Sequence, residues 1–294
     1  MDISKVGVCG AGLMGHGIAQ VSAQAGCEVL LRDRDQERLD KGIAKIEKQL
    51  ARAVEKGRME QSEADGVRGR ITGTLDAADF ADCDLVIEAI TEDLAMKLDL
   101  WRELDGIVKK EAIFATNTSS LAVIEQAAAT GRADRFLGLH YFNPAQVMPL
   151  LEVVQTVTTS DETLAAGFAF GEKQGKTCVH AKDKAGFIVN RLLVPYLLDA
   201  IRAYEEGAGS IEQIDAAMKG GAAHPMGPFM LLDFVGLDTT KSIADIMFDE
   251  YRERRFAAPP TLRKMVAAGW YGKKSGKGFY DYSGEKPVPV ELGL

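Results

Sequence analysis

The stretch Val6-Gly7-Val8-Cys9-Gly10-Ala11-Gly12-Leu13-Met14-Gly15 decides how the first half of the chain folds. A short run of strand character enters a Gly-x-Gly-x-x-Gly turn, and a helical pattern follows to about residue 25. Gly10 permits the tight turn, Gly12 lets backbone approach a pyrophosphate, and Gly15 lets the helix pack closely on the strand. The helix N-terminus then offers free N–H groups and a partial positive charge to an anion. With Leu13 and Met14 these glycines are the candidate dinucleotide-binding positions. Asp33 closes the second predicted strand, 18 residues beyond Gly15. A carboxylate there accepts hydrogen bonds from the adenosine ribose and repels a 2′-phosphate, so NAD is expected. Arg32 and Arg34 flank it and leave NADP open. A glycine-rich turn that binds nothing is the competing reading, and the strand, helix and acid at their spacings argue against it.

Working outward, strands are predicted over residues 6–9, 28–31, 85–89, 113–116, 136–139, 151–154 and 177–179. The first four are continuous apolar runs, the mark of parallel strands buried on both faces. Helices are predicted between them over 14–25, 36–56, 94–109 and 121–130. This alternation predicts an α/β, Rossmann-like doubly wound sheet. After Lys184 helices are predicted over 187–206, 211–218, 230–235, 238–251 and 261–268, punctuated by glycines and prolines. The expected division is a dinucleotide-binding domain over 1–184 and a smaller all-helical domain over 185–294. In the helix at 36–56, Leu39, Ile43, Ile46, Leu50 and Val54 share one face, while Lys41, Lys45, Lys48, Arg52 and Lys56 form a basic row roughly opposite. Its length suggests a helical hairpin near 36–70 that projects from the sheet.

Of the 294 residues 46% are hydrophobic and 27% charged, which excludes intrinsic disorder. The net charge of -8 argues against nucleic acid as a partner. No apolar run is long enough to span a membrane. Cys9, Cys27, Cys83 and Cys178 are scattered, with no metal-ligand spacing, as expected in a reducing compartment. Residues 1–5 lead straight into the first strand without room for a targeting peptide, so a cytoplasmic location is expected.

Of four histidines, His16 reads as a surface or packing residue, His180 as solvated and His224 as a turn residue. His140 follows a predicted strand, the edge of an open α/β sheet where ligands bind. Alone it is as readily structural as catalytic. Glu152 is a carboxylate inside the apolar run Leu150-Leu151-Glu152-Val153-Val154, and a buried carboxylate needs a partner. If the strands at 136–139 and 151–154 are antiparallel neighbours, that partner is His140, although a lysine or arginine would serve equally. Asn117 and Ser119 belong to a polar loop that also suits helix capping, and Asn190 is a polar residue within an apolar helix, open to a buried core role.

Six ordered stretches then stand together: 10–20 (GAGLMGHGIAQ), 117–121 (NTSSL), 138–144 (GLHYFNP), 183–192 (DKAGFIVNRL), 221–228 (GAAHPMGP) and 276–280 (GKGFY). With them the chain resembles, over nearly its whole length, the short-chain 3-hydroxyacyl-CoA dehydrogenase family, of the 3-hydroxybutyryl-CoA type. The resemblance implies that His140 is the general base, oriented by Glu152, and that Ser119 and Asn190 hydrogen-bond the substrate's reacting oxygens. It places Glu92, Lys97 and Asn117 near the nicotinamide and its ribose, and Arg52 and Lys56 on coenzyme A. It implies an acyl-CoA substrate and a homodimer formed through the C-terminal domain. A related dehydrogenase of a free hydroxy or sugar acid, or of a carboxylated thioester such as 3-hydroxyadipyl-CoA, is the alternative.

Overall fold

The computed structural model describes residues 2–292. Contacts divide the chain into two units, Met1–Phe187 and Ile188–Leu294.

In the first unit β1 (Lys5–Cys9), α1 (Gly15–Gln24), β2 (Glu28–Arg32), α2 (Gln36–Glu55), α3 (Gln61–Gly69), β3 (Ile71–Thr74), β4 (Leu85–Glu88), α4 (Leu94–Asp105), β5 (Ile113–Thr116), α5 (Val123–Ala127), β6 (Phe136–Tyr141), β7 (Leu150–Gln155), α6 (Asp161–Lys173) and β8 (Thr177–Lys182) follow in order. The strands form one sheet in the order β3-β2-β1-β4-β5-β6-β7-β8. Its first six strands pair in parallel, β7 runs antiparallel to β6, and β8 lies parallel to β7. The chain order reverses between β1 and β4, the switch point at which such sheets bind ligands.

The continuous apolar runs have a direct cause. Leu85 and Ile87 of β4 enter one core with α1, α2, α3 and α6, while Val86 between them enters a second core with Trp101 of α4 and Val123 of α5. Both faces are dry, so no position in such a strand can be polar without a buried partner. On α2 the apolar face is packed through Leu39, Ile46 and Leu50, and α3 joins the same core through Ala64 and Val67. Asp183 accepts the N–H groups of Val123 and Ile124, at 2.9 and 2.7 Å, and so caps the start of α5.

The strand β3 and the helix α6 lie outside the elements predicted from sequence. Ile71-Thr72-Gly73-Thr74 is a four-residue edge strand with one buried side chain and no readable alternation. In α6 two glycines interrupt the helical pattern because the helix lies almost on the sheet. A Cβ at Gly167 would sit 3.0 Å from Leu137, and one at Gly171 would strike Cys178 and Leu151.

The second unit contains α7 (Val189–Glu205), α8 (Ile211–Gly221), α9 (Pro228–Val235), α10 (Leu237–Tyr251) and α11 (Pro260–Ala267), then the short pair β9 (Tyr280–Asp281) and β10 (Val288–Pro289). Two buried aspartates hold the chain's last segment. Asp233 accepts N–H groups from Phe279 and Tyr280 and the hydroxyl of Tyr282, and Asp215 accepts the Tyr280 hydroxyl. Among the described residues no helix is long and apolar enough to cross a membrane.

Candidate active site

The candidate residues of the first unit gather at one edge of the sheet. Gly10 follows the end of β1, Asp33 that of β2, Glu92 that of β4 and Asn117 that of β5, and His140 is the penultimate residue of β6.

Gly10 has φ +100°, and its N–H donates to the Arg32 carbonyl at 2.7 Å. A Cβ there would press on the Ala89 carbonyl, and one on Gly15 would run into that of Gly10, so both positions exclude a side chain. At Gly12 the space is open, with no protein atom within 4 Å of where a Cβ would stand. Backbone tight on one side and open on the other is the shape a pyrophosphate needs. The Asp33 carboxylate accepts the Ala11 N–H at 2.8 Å, which fixes the acid against the turn. Arg32 is engaged elsewhere, on Glu103 at 3.1 Å and the Leu75 carbonyl at 3.3 Å, and Arg34 pairs with Asp35. These residues fit an adenosine ribose with unmodified hydroxyls.

Next to the turn lies a buried ionic network. Lys97 and Glu88 are almost wholly excluded from solvent, and Lys97 Nζ lies 2.8 Å from both oxygens of Glu88 and 2.9 Å from Glu92. Glu88 also accepts the Thr116 hydroxyl and the Ile90 N–H. Glu92 accepts the Thr118 hydroxyl and the Ser119 N–H. Burial alone would lower the pKa of Lys97, but the carboxylates of Glu88 and Glu92 raise it above its ordinary value. Burial alone would raise Glu92; Lys97 and the Thr118 and Ser119 donors hold it below the usual carboxylate range. The loop 118–120 is thereby fastened to the β4 edge. Asn117 ties the same loop to β6, for its Oδ1 accepts the Tyr141 N–H at 2.9 Å. The central member, Glu88, was missed in the sequence reading, though its signal matched that of Glu152: a carboxylate in an apolar strand.

His140 and Glu152 are opposed in the antiparallel β6–β7 register. Nδ1 of His140 lies 2.6 Å from Oε2 of Glu152, with the residues 4% and 0% exposed. A carboxylate accepts only, so Nδ1 carries the proton and Nε2 is left as the basic nitrogen. Phe142 and Phe187 flank the ring at 4.5 and 5.5 Å between centroids. Arg52 and Lys56 are exposed at the end of α2, away from this pair in sequence. Asn190 belongs to the second unit, as the second residue of α7. His180 is exposed beside Gln155, and His224 lies 3.1 Å from the Tyr196 hydroxyl.

Two family descriptions match this chain: "3-hydroxyacyl-CoA dehydrogenase, NAD binding domain" over residues 5–184 and "3-hydroxyacyl-CoA dehydrogenase, C-terminal domain" over 186–282. The chain is 48% identical over 282 residues to a 3-hydroxybutyryl-CoA dehydrogenase of Mycobacterium tuberculosis, covering 95% of this chain and 99% of that one. It is 47% identical over 287 residues to the mitochondrial hydroxyacyl-coenzyme A dehydrogenase of Homo sapiens, covering 95% and 91%. The crystal structure of (S)-3-hydroxybutyryl-CoA dehydrogenase PaaH1 from Ralstonia eutropha is similar with a TM-score of 0.93 at 40% identity, covering 96% of this chain and all of that one.

Proposed function

The chain belongs to the 3-hydroxyacyl-CoA dehydrogenase family and is an NAD-dependent oxidoreductase acting on CH–OH; from that premise we propose that it interconverts short-chain (3S)-hydroxyacyl-CoA and 3-ketoacyl-CoA thioesters, with 3-hydroxybutyryl-CoA and acetoacetyl-CoA as the pair. The observation that supports this most is the buried His140–Glu152 contact at the sheet edge that carries the glycine turn.

When bound, the nicotinamide supplies the hydride chemistry. His140 takes the proton of the 3-hydroxyl at Nε2 in the oxidising direction and returns it in the reducing one. Glu152 keeps the other ring proton on Nδ1 and offsets the charge that the ring acquires. General base catalysis of this kind contributes ~10²–10⁴-fold. Ser119, on the loop fastened by Glu92, and Asn190 hydrogen-bond the substrate's oxygens; for Asn190 the support is the family resemblance. Arg52 and Lys56 hold the phosphates of coenzyme A. Among the described residues neither forms an ion pair, unlike Lys41, which is engaged by Glu37 on the same helix, so their charge is available to an anion.

A homodimer through the second unit is supported by its exposed apolar side chains, among them Leu192 at 71% and Phe234 at 48%. The four cysteines are free, which fits a reducing compartment, the cytoplasm in this reading. NADH oxidation with acetoacetyl-CoA tests the central reading, and equal activity on free acetoacetate would refute the thioester assignment.

A further inference from the structure

His16 occupies the first turn of α1, directly after the glycine turn, and is 6% exposed. Its Nδ1 lies 2.6 Å from the Gly12 carbonyl oxygen. A carbonyl only accepts, so Nδ1 carries the proton. Burial holds the ring's pKa below its ordinary value, opposed by the Gly12 hydrogen bond and aided by Lys45. A neutral ring then presents a lone pair at Nε2, and the Gln49 side-chain amide, 3.3 Å away on α2, donates to it.

The consequence follows from peptide planarity. The Gly12 C=O and the Leu13 N–H belong to one planar trans unit and point in opposite directions. A carbonyl held inward against His16 turns the Leu13 N–H outward. The surroundings of this peptide are open, with no protein atom within 4 Å of where a Gly12 Cβ would stand and with Leu13 65% exposed. We propose that His16 is a positioning residue for the dinucleotide: it holds the Gly12–Leu13 peptide from behind so that the Leu13 N–H faces the pyrophosphate, and Gln49 braces it from α2. The inference rests on the dinucleotide reading of the glycine turn. Gln49 lies three residues before Arg52 on the same helix, so one contact joins the cofactor turn to the basic helix.

The test uses the full-length protein and three ligands, NADH, ADP-ribose and adenosine, with dissociation constants from fluorescence and calorimetry. His16→Phe keeps an aromatic ring but removes the donor. It is expected to weaken NADH and ADP-ribose by roughly three- to tenfold, the scale of one lost hydrogen bond, and to leave adenosine unchanged. His16→Asn, whose amide can donate to the same carbonyl, should recover ADP-ribose binding to within about twofold of the parent. Unaltered ADP-ribose binding in His16→Phe overturns the proposal, as does an equal loss for adenosine, which would mark a packing role. Should His16→Phe not fold, Gln49→Leu is expected to weaken ADP-ribose by about twofold or more with adenosine unchanged, and no change overturns the proposal. A parent protein that binds no NADH refutes the cofactor reading and this inference together, whereas parent binding matched by His16→Phe refutes the inference alone.

Discussion

Replacing Glu152 by Gln tests what the buried carboxylate does for His140. The contact is short, 2.6 Å, and closed to solvent. Gln preserves shape and removes charge. A hydrogen bond to an ionised partner contributes about 1.5–3 kcal/mol, and a neutral one about 0.5–1.5. If the amide oxygen keeps facing Nδ1–H, the loss is about 1–1.5 kcal/mol, or roughly five- to twelvefold in kcat. If the amide instead turns its NH2 toward Nδ1, the ring proton moves to Nε2 and the base is lost. A wrong tautomer of that kind lowers kcat by ~10⁴ in a serine protease triad. The expected fall therefore lies between about fivefold and 10⁴-fold. Gln keeps the volume of Glu, so a folded variant is expected, and its melting curve checks this. The assay is NADH oxidation at saturating acetoacetyl-CoA, with the NADH dissociation constant measured in parallel and expected within about twofold of the parent. A kcat within twofold of the parent, in a protein that melts normally, would refute the assignment.

Arg52→Ala with Lys56→Ala should raise KM for acetoacetyl-CoA while kcat stays near the parent value, and the effect should shrink as salt screens the exposed charges; a KM unchanged at low salt removes both residues from the coenzyme A site. Asp84 accepts the backbone N–H groups of Ser4 and Lys5 and pairs with Lys109 at 2.6 Å. Burial would raise its pKa, but these donors bring it down to about 2. A depressed carboxylate stabilises the fold above its unfolded pKa, near 4, and that contribution disappears as pH falls toward 2. After allowance for solvent screening it is about 1–2 kcal/mol. Asp84→Asn should therefore melt a few degrees lower at pH 7, with the gap closing between pH 4 and pH 2; a gap independent of pH would contradict the linkage.

The apolar period, the glycine turn and the acid at position 33 were enough to specify a two-faced parallel sheet, because each is a local requirement. A strand dry on both sides must be apolar throughout, and a turn at φ +100° pressed on the Ala89 carbonyl must be glycine. Glu152 stood out for the same local reason, and Glu88 would have done so under the same rule. The partners of these carboxylates were not legible. His140 or a lysine served Glu152 equally well until β6 and β7 were seen in register, with Gly138 opposite Val154 where a Cβ would sit only 2.7 Å from the valine. A slip of one residue would turn His140 to the other face of the sheet. Lys97 is likewise an ordinary helical residue until α4 sets it against two acids from the β4 edge. The glycines of α6 weaken a helical pattern, and only Leu137, Val153 and Cys178 beneath them explain why they are there. Polarity and period belong to single segments and can be read one segment at a time. Which buried charge meets which depends on how segments pack, and packing is settled by contacts between residues far apart in the chain.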